Sequence, residues 1–184
     1  VGDEIISHFY NSIRKDTETL TLKTIEKSME KYTGIDEWES IIEGDINENN
    51  RLIVEGMFLS IEQETHISRM ILLNKNLELI LSQKNQDTEE FDISALTLPC
   101  FKDLVTRVTK SWEYEGELAC INGMPNYVIM TAFFDMDDNA IGYFLATVPT
   151  SFLAQTIHKK IGSHVGYQST LGHFAGTSHD SLFN

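Results

Sequence analysis

Glu113–Thr150 reads EYEGELACINGMPNYVIMTAFFDMDDNAIGYFLATVPT, and the fold turns on how this stretch is divided. Leu118 to Ile121 is an apolar run leading to Asn122-Gly123, the dipeptide that best tolerates the positive φ angles of a two-residue hairpin turn. Tyr127 to Phe134 is long enough for a central strand. The polar loop Asp135-Met136-Asp137-Asp138-Asn139 then turns the chain into Ile141 to Val148. Three antiparallel strands joined by short turns make a meander, whose apolar face needs helices or a second sheet to cover it.

Upstream of the meander, Leu98-Pro99 starts a predicted helix with proline in its first turn. Phe101, Leu104, Val105 and Val108 give it an apolar face that ends at Trp112. Before it, Gln83 to Glu90 is a polar, acidic surface loop. Ile67 to Leu73 and Leu77 to Leu81 form a hairpin around Asn74-Lys75-Asn76, where asparagines tolerate left-handed backbone. A helix from Asn49 or Asn50 to about Thr65 places Leu52, Ile53, Phe58 and Ile61 inward, with Gly56 weakening it. Asp36 and Glu39 resemble a capping pair for a short helix carrying Trp38, Ile41 and Ile42, closed by Gly44 and Asp45. Asp3 to Thr33 reads as one long helix of about 45 Å, ended by Thr33-Gly34. Ile6, Phe9, Ile13, Leu20, Met29 and Tyr32 form its expected inner stripe. That stripe is narrow, as in a helix that packs along its own domain and along a second copy of itself. Downstream of the meander, Pro149-Thr150-Ser151 caps a helix from Phe152 to Ile161, stopped by Gly162. His164 to Thr170 and His173 to Thr177 then make a short strand pair around Leu171-Gly172.

Composition narrows the function classes. The chain has 184 residues, 41% of them apolar and 10% aromatic, enough for a core in one domain of ordinary size. Against 14 basic residues stand 28 acidic ones, a net charge of −14, which repels polyanions and argues against nucleic acid as a partner. No apolar run reaches the length of roughly 18 residues that a membrane span needs, and no signal peptide is present. The chain starts inside a predicted helix, so it is expected to be a piece of a longer protein whose membrane segments lie outside it. Cys100 and Cys120 match no metal or haem pattern, leaving two buried thiols or a disulfide.

The order of elements is a long helix, short helices, a hairpin, a helix, a meander, a helix and a strand pair. It predicts an α+β fold, a PAS-like five-stranded antiparallel sheet flanked by helices, with a long N-terminal helix. On the residues Ile67–Leu81, the Pro99–Trp112 helix and Asn126 to Phe152 with its DMDDNAIGYF turn, the chain resembles the Cache sensor domains. These are the PAS-like, extracytoplasmic sensors of bacterial chemoreceptors, sensor kinases and diguanylate cyclases. The resemblance implies residues 1–34 as a signalling helix, 35–162 as the sensor core and 163–184 as a possible membrane-proximal part. It further implies a periplasmic position, a membrane-anchored full-length protein, a homodimer through the N-terminal helix and a small-molecule ligand between sheet, hairpin and the Pro99 helix. No enzyme activity and no cofactor are implied. Amino-acid-binding members carry a basic-x-Trp-aromatic arrangement entering the first meander strand. Lys110, Trp112 and Tyr114 echo it, with lysine in place of arginine and Glu113 before the tyrosine. A small carboxylate, an amine or an amino acid is the expected ligand.

Read from the residues themselves, Trp112 and Tyr114 beside Lys110 either wall a pocket or close the core with a solvated lysine. Arg69 lies between Ile67 and Ile71, so alternation puts it on their face. There it needs a carboxylate from the protein or from a ligand. Tyr127 and Thr131 share a face with Ile129 and Phe133 and serve as hydroxyl donors or as packing. Asp135, Asp137 and Asn139 begin like a calcium loop, but Ala140 and Ala146 occupy its sixth and twelfth positions, so the ligand set is incomplete. His66, His158, His164, His173 and His179 are scattered over several elements and give no metal spacing. Gly176-Thr177-Ser178-His179 is not a GxSxG elbow, and there is no P-loop, GxGxxG or HExxH. Two other readings stay open: a ligand-free dimerisation or interaction module, and a PAS-type cofactor domain.

Overall fold

A computed structural model describes residues 2–32, 40–44, 47–85, 99–121, 124–162, 165–168 and 174–177. The expected Asn122-Gly123 turn, the Asp36–Glu39 cap, the Gln83–Glu90 loop beyond Asn85 and the turn at Leu171-Gly172 lie outside the described residues.

The hairpin is β1 (Arg69–Asn74) with β2 (Leu79–Lys84), and the meander is β3 (Glu115–Ile121), β4 (Met124–Phe134) and β5 (Ala140–Pro149). They join into one five-stranded antiparallel sheet of order β2-β1-β5-β4-β3. The closing pair is β1 with β5, in which Ile71 stands opposite Leu145 and Arg69 opposite Thr147. Both strands are buried along nearly their whole length, as central strands covered on two faces are.

Among the described residues the sheet is covered by α1 (Gly2–Met29), α2 (Glu48–Thr65), α3 (Pro99–Ser111) and α4 (Thr150–Ile161), with Ile41 and Ile42 of a short helical piece also buried. On one face Met70, Leu72, Ile129, Phe144, Ala146 and Val148 pack with Ile25, Met57, Phe58, Ile61 and Leu153 of α1, α2 and α4. On the other, Ile71, Leu73, Val128, Met130, Tyr143 and Leu145 pack beneath Phe101, Leu104 and Val108 of α3. The two-stranded ribbon of β6 (Gly166–Gln168) and β7 (Phe174–Thr177) lies against α4.

Several local expectations are corrected. The buried face of α1 is Thr17, Thr21, Ile25, Ser28 and Met29, whereas Phe9 and Leu20, expected inward, are each 56% exposed. Hydroxyls explain the exchange: Thr17 and Thr21 donate to the carbonyls of Ile13 and Thr17 at 2.9 and 2.8 Å and so enter the interior as small, satisfied side chains. Leu52, also expected inward, is exposed. Ile67 precedes β1 and packs with the α1-side core, so it does not share the face of Arg69 and Ile71. In the β1–β2 turn the left-handed residue is Leu77 (φ 63°) rather than an asparagine. Asn74 is committed elsewhere, its Oδ1 accepting from the backbone N–H groups of Asn76 and Glu78. Helix α2 starts at Glu48, capped by the Asn47 side chain. Helix α4 has no side-chain cap, because the Thr150 hydroxyl donates instead to the Pro125 carbonyl of β4 at 3.0 Å. Gly162 (φ 69°) ends α4 as expected. Cys100 carries a free thiol. No described helix is long and apolar enough to cross a membrane.

Candidate functional site

The face under α3 carries Arg69, and the end of α3 carries Lys110 and Trp112. Phe101, Leu104 and Val108 recur at helical spacing and bury one stripe of α3 on the sheet. Arg107 ties the helix to β3, with Nη2 2.7 Å from Glu117 and Nε 3.7 Å from Glu115, and it also meets Asp103 at 3.2 Å. Two residues before Ile71 on the same face comes Arg69. It is 3% exposed and is the only charged side chain in the interior among the described residues. Across from it on β5 is buried Thr147, whose hydroxyl lies 3.0 Å from that of Ser68.

Lys110 and Trp112 sit where α3 ends. The Trp112 N–H closes the helix on the Val108 carbonyl at 3.2 Å, and Trp112 itself takes φ 61°, a left-handed conformation that costs a bulky residue about 1–2 kcal/mol. Its indole stacks on Phe134 at 4.6 Å and 14°, yet remains 54% exposed, and Lys110 is exposed beside it. The neighbouring β4–β5 turn is self-contained. Asp135 Oδ1 accepts from the backbone N–H groups of Asp137 and Asn139, which hold its carboxyl below the ordinary range, Asn139 contributing most.

Tyr114, Tyr127 and Thr131 occupy the opposite face, under α1. The left-handed step at Trp112 reverses the chain, so Tyr114 packs with the α1-side core although it is only four residues past Lys110. Tyr127 is buried with its ring over Gly116, the single position on β3 without a side chain to collide with it. Burial pushes its phenol well above the ordinary value, with Glu18 and Glu115 adding to the effect. Tyr114 is raised in the same way by burial and then by Glu26 of α1 and Glu30 just past its end. Burial also raises Glu18, against the opposing pull of Arg14 and Lys15. Thr131 is buried opposite Phe144.

The six expected ligand contacts therefore fall into three groups. Arg69 is inside the α3 face, at the level of Val128 on β4 through Thr147. Lys110 and Trp112 are at its far end by Phe134, six residues or about 20 Å along β4. Tyr114, Tyr127 and Thr131 are behind the sheet. Sequence reasoning did not single out the stack of His66 on Phe152, with ring centroids 4.4 Å apart, or the cleft of about 270 Å³ beside it. Its only sequence signal is the change of period at His66, where a left-handed residue (φ 58°) ends α2. Among the described residues no group of His, Cys, Asp and Glu is arranged to hold a metal ion.

No protein-family model matches the chain. No curated protein matches it in sequence. Solved structures do match it in fold. A domain of a putative sensory box/GGDEF family protein from Vibrio parahaemolyticus superposes with a TM-score of 0.57 at 14% identity, over 94% of this chain and 66% of that domain. The E. coli DcuS sensor domain gives 0.52 at 8% identity, over 77% of this chain and 98% of that one. The sensory domain of the Campylobacter jejuni chemoreceptor Tlp3 gives 0.49 at 14%, over 97% and 76%.

Proposed function

We propose that this chain, which has the fold of a Cache/PAS-like sensor domain, is a non-catalytic, extracytoplasmic sensor that binds a small polar molecule and relays the event through α1. The observation that carries the reading is how α1 is mounted. Its C-terminal half is seated on the core, with Ile25 and Met29 packed there, Leu22 against Gly116 of β3, and Thr17 and Thr21 facing α2 and α4, while Ser7–Ser12 are all exposed. A rod rooted in a sensor core and exposed from Ser7 to Ser12 is a lever.

Recognition belongs to the α3 face. Arg69 meets a carboxylate from within, and Lys110 and Trp112 line the outer end of the same helix. Tyr114 and Tyr127 lie against α1 and serve as the link rather than as contacts, and Thr131 is buried on the same face of the sheet. A ligand shifts such an equilibrium only by binding its two states unequally. Closing α3 over an anion would move β3 and β4, and through Tyr127 and Gly116 it would reset α1 by an ångström or two. In this scheme residues 1–34 signal, 35–162 sense and 163–184 lie nearest the membrane of a larger anchored protein.

Thermal unfolding in the presence of amino acids, small carboxylates and amines tests it. A ligand at 100 times its Kd adds about 2.7 kcal/mol, several degrees in Tm. Arg69→Met should abolish the response to any carboxylate. If no compound in these classes stabilises the wild type, the sensor reading fails. Exposed Phe9, Tyr10 and Leu20 on α1 favour a second reading, a ligand-free dimerisation module. Under it the protein is dimeric by sedimentation and no carboxylate or amino acid moves either Tm or mass.

A further inference from the structure

Behind the sheet, where α1 crosses the junction of α2 and α4, there is a cavity of about 110 Å³ separate from the α3 face. Five threonines line it: Thr17, Thr21 and Thr24 of α1, Thr65 of α2 and Thr156 of α4. Each hydroxyl donates its one proton to the carbonyl four residues back, at distances from 2.5 to 2.9 Å. A hydroxyl committed in this way has only lone pairs left to offer. The carboxylate on the wall, Glu64, is held below its ordinary pKa by hydrogen bonds from Lys31 and then Ser28, so it stays ionised at neutral pH. The threonines and the carboxylate thus present acceptors, and a carboxylate ligand would find lone pairs facing lone pairs.

An ammonium group has the opposite requirement, three donors and no acceptor. The row already holds one, since Lys160 Nζ donates to Thr17 Oγ1 at 3.1 Å. Thr24 lies seven residues further along α1, about 10 Å from that contact, at the end where Glu64 stands. Between them the Phe152 ring and the threonine methyls supply apolar wall. Phe152, stacked on His66, also borders the outer cleft of about 270 Å³, and with Leu20, Thr24, Glu64 and His66 exposed the cavity is itself open to solvent.

From this geometry we infer a second binding site, for a small primary alkylammonium ion. Its ammonium is seated between Thr21, Thr24 and Glu64, and its short chain lies against Phe152. Because Glu64 is shared with Lys31, the site is a weak one. Its occupant touches α1, α2 and α4 together and so fixes the seating of α1 independently of any ligand under α3.

The test is an NMR titration of the whole chain with n-propylammonium chloride, with propan-1-ol, tetramethylammonium chloride and sodium propionate as comparators at matched ionic strength. Propylammonium alone should give saturable shifts in the Thr21–Thr24 turn, at Thr65 and at Phe152. Thr21→Val and Thr24→Val keep side-chain shape and should each weaken binding about tenfold. Arg69→Met should leave it unchanged, which separates this site from the α3 face whatever the fate of the sensor reading. Equal shifts with propan-1-ol would mean an apolar crevice only, and equal shifts with tetramethylammonium would mean diffuse charge attraction. Either result, or undiminished binding in Thr21→Val, overturns the site.

Discussion

Replacing Gly116 with alanine tests the contact on which the relay depends. A Cβ built at Gly116 lies 2.6 Å from Tyr127 Cζ, closer still to its Oη, and 3.2 Å from Leu22 Cδ1 of α1. Real side chains do not approach so closely, and Tyr127, 4% exposed, has no open space into which to swing. Either its ring or α1 must shift. Overpacking of this kind costs about 1–3 kcal/mol. Relief of the glycine's backbone entropy in a strand returns about 0.5–1 kcal/mol. The net loss is about 0–2.5 kcal/mol, and at about 2–4 °C per kcal/mol in a domain of this size its midpoint lowers Tm by about 2–5 °C, measurable by calorimetry. Adding Tyr127→Phe removes the hydroxyl, the nearest atom, and should recover part of the loss. In a spin-labelled pair across α1 and β3, Gly116→Ala should lengthen the separation. A Gly116→Ala protein as stable as the wild type, with an unmoved α1, would refute the idea that Tyr127 wedges helix and strand together.

The remaining predictions concern charge and backbone. Asp135 is depressed, so it contributes stability above its unfolded pKa and loses it as the pH falls through the lower folded value; Asp135→Asn should flatten the acid limb of Tm against pH. Glu18 is raised, so the sign reverses: stability is lost as the pH rises from the unfolded value through the folded one. Glu18→Gln should therefore melt higher than wild type at pH 7 and alike at pH 3. Trp112→Gly exchanges about 1–2 kcal/mol of left-handed strain for a lost aromatic stack of about 0.5–1.5 kcal/mol, and urea unfolding should find it within about 1 kcal/mol of wild type. Gly142→Ala would put a Cβ 2.5 Å from Ile42 Cγ2 and 2.7 Å from the Leu73 carbonyl, and limited proteolysis should then cut at residues 40–44 faster.

Much of the sheet was legible because alternation and turn residues are local signals. The meander, the hairpin, the Pro99 helix and the Gly162 stop all stand within a few residues of their expected places. The pairing of β1 with β5 joins segments some 75 residues apart and rests on the resemblance, since no local pattern encodes it. On helix α1 the expected stripe holds at Met29 and Tyr32 but fails at Phe9 and Leu20, because a hydropathy pattern counts threonine as polar, while a threonine bonded to its own helix behaves as a small apolar residue. The site was least legible of all. Lys110, Trp112 and Tyr114 are neighbours in sequence, and only the left-handed turn at Trp112, an unusual conformation for a tryptophan, sends Tyr114 to the other side of the sheet.

The bare stretch of α1 has a consequence of its own. An exposed helical segment of under two turns is marginal in water, so its amide hydrogens should exchange within moments when the chain is alone. Slow exchange from Ser7 to Ser12, appearing only as protein concentration rises or when the chain is joined to flanking sequence, would show from which quarter that end of the rod takes its rigidity.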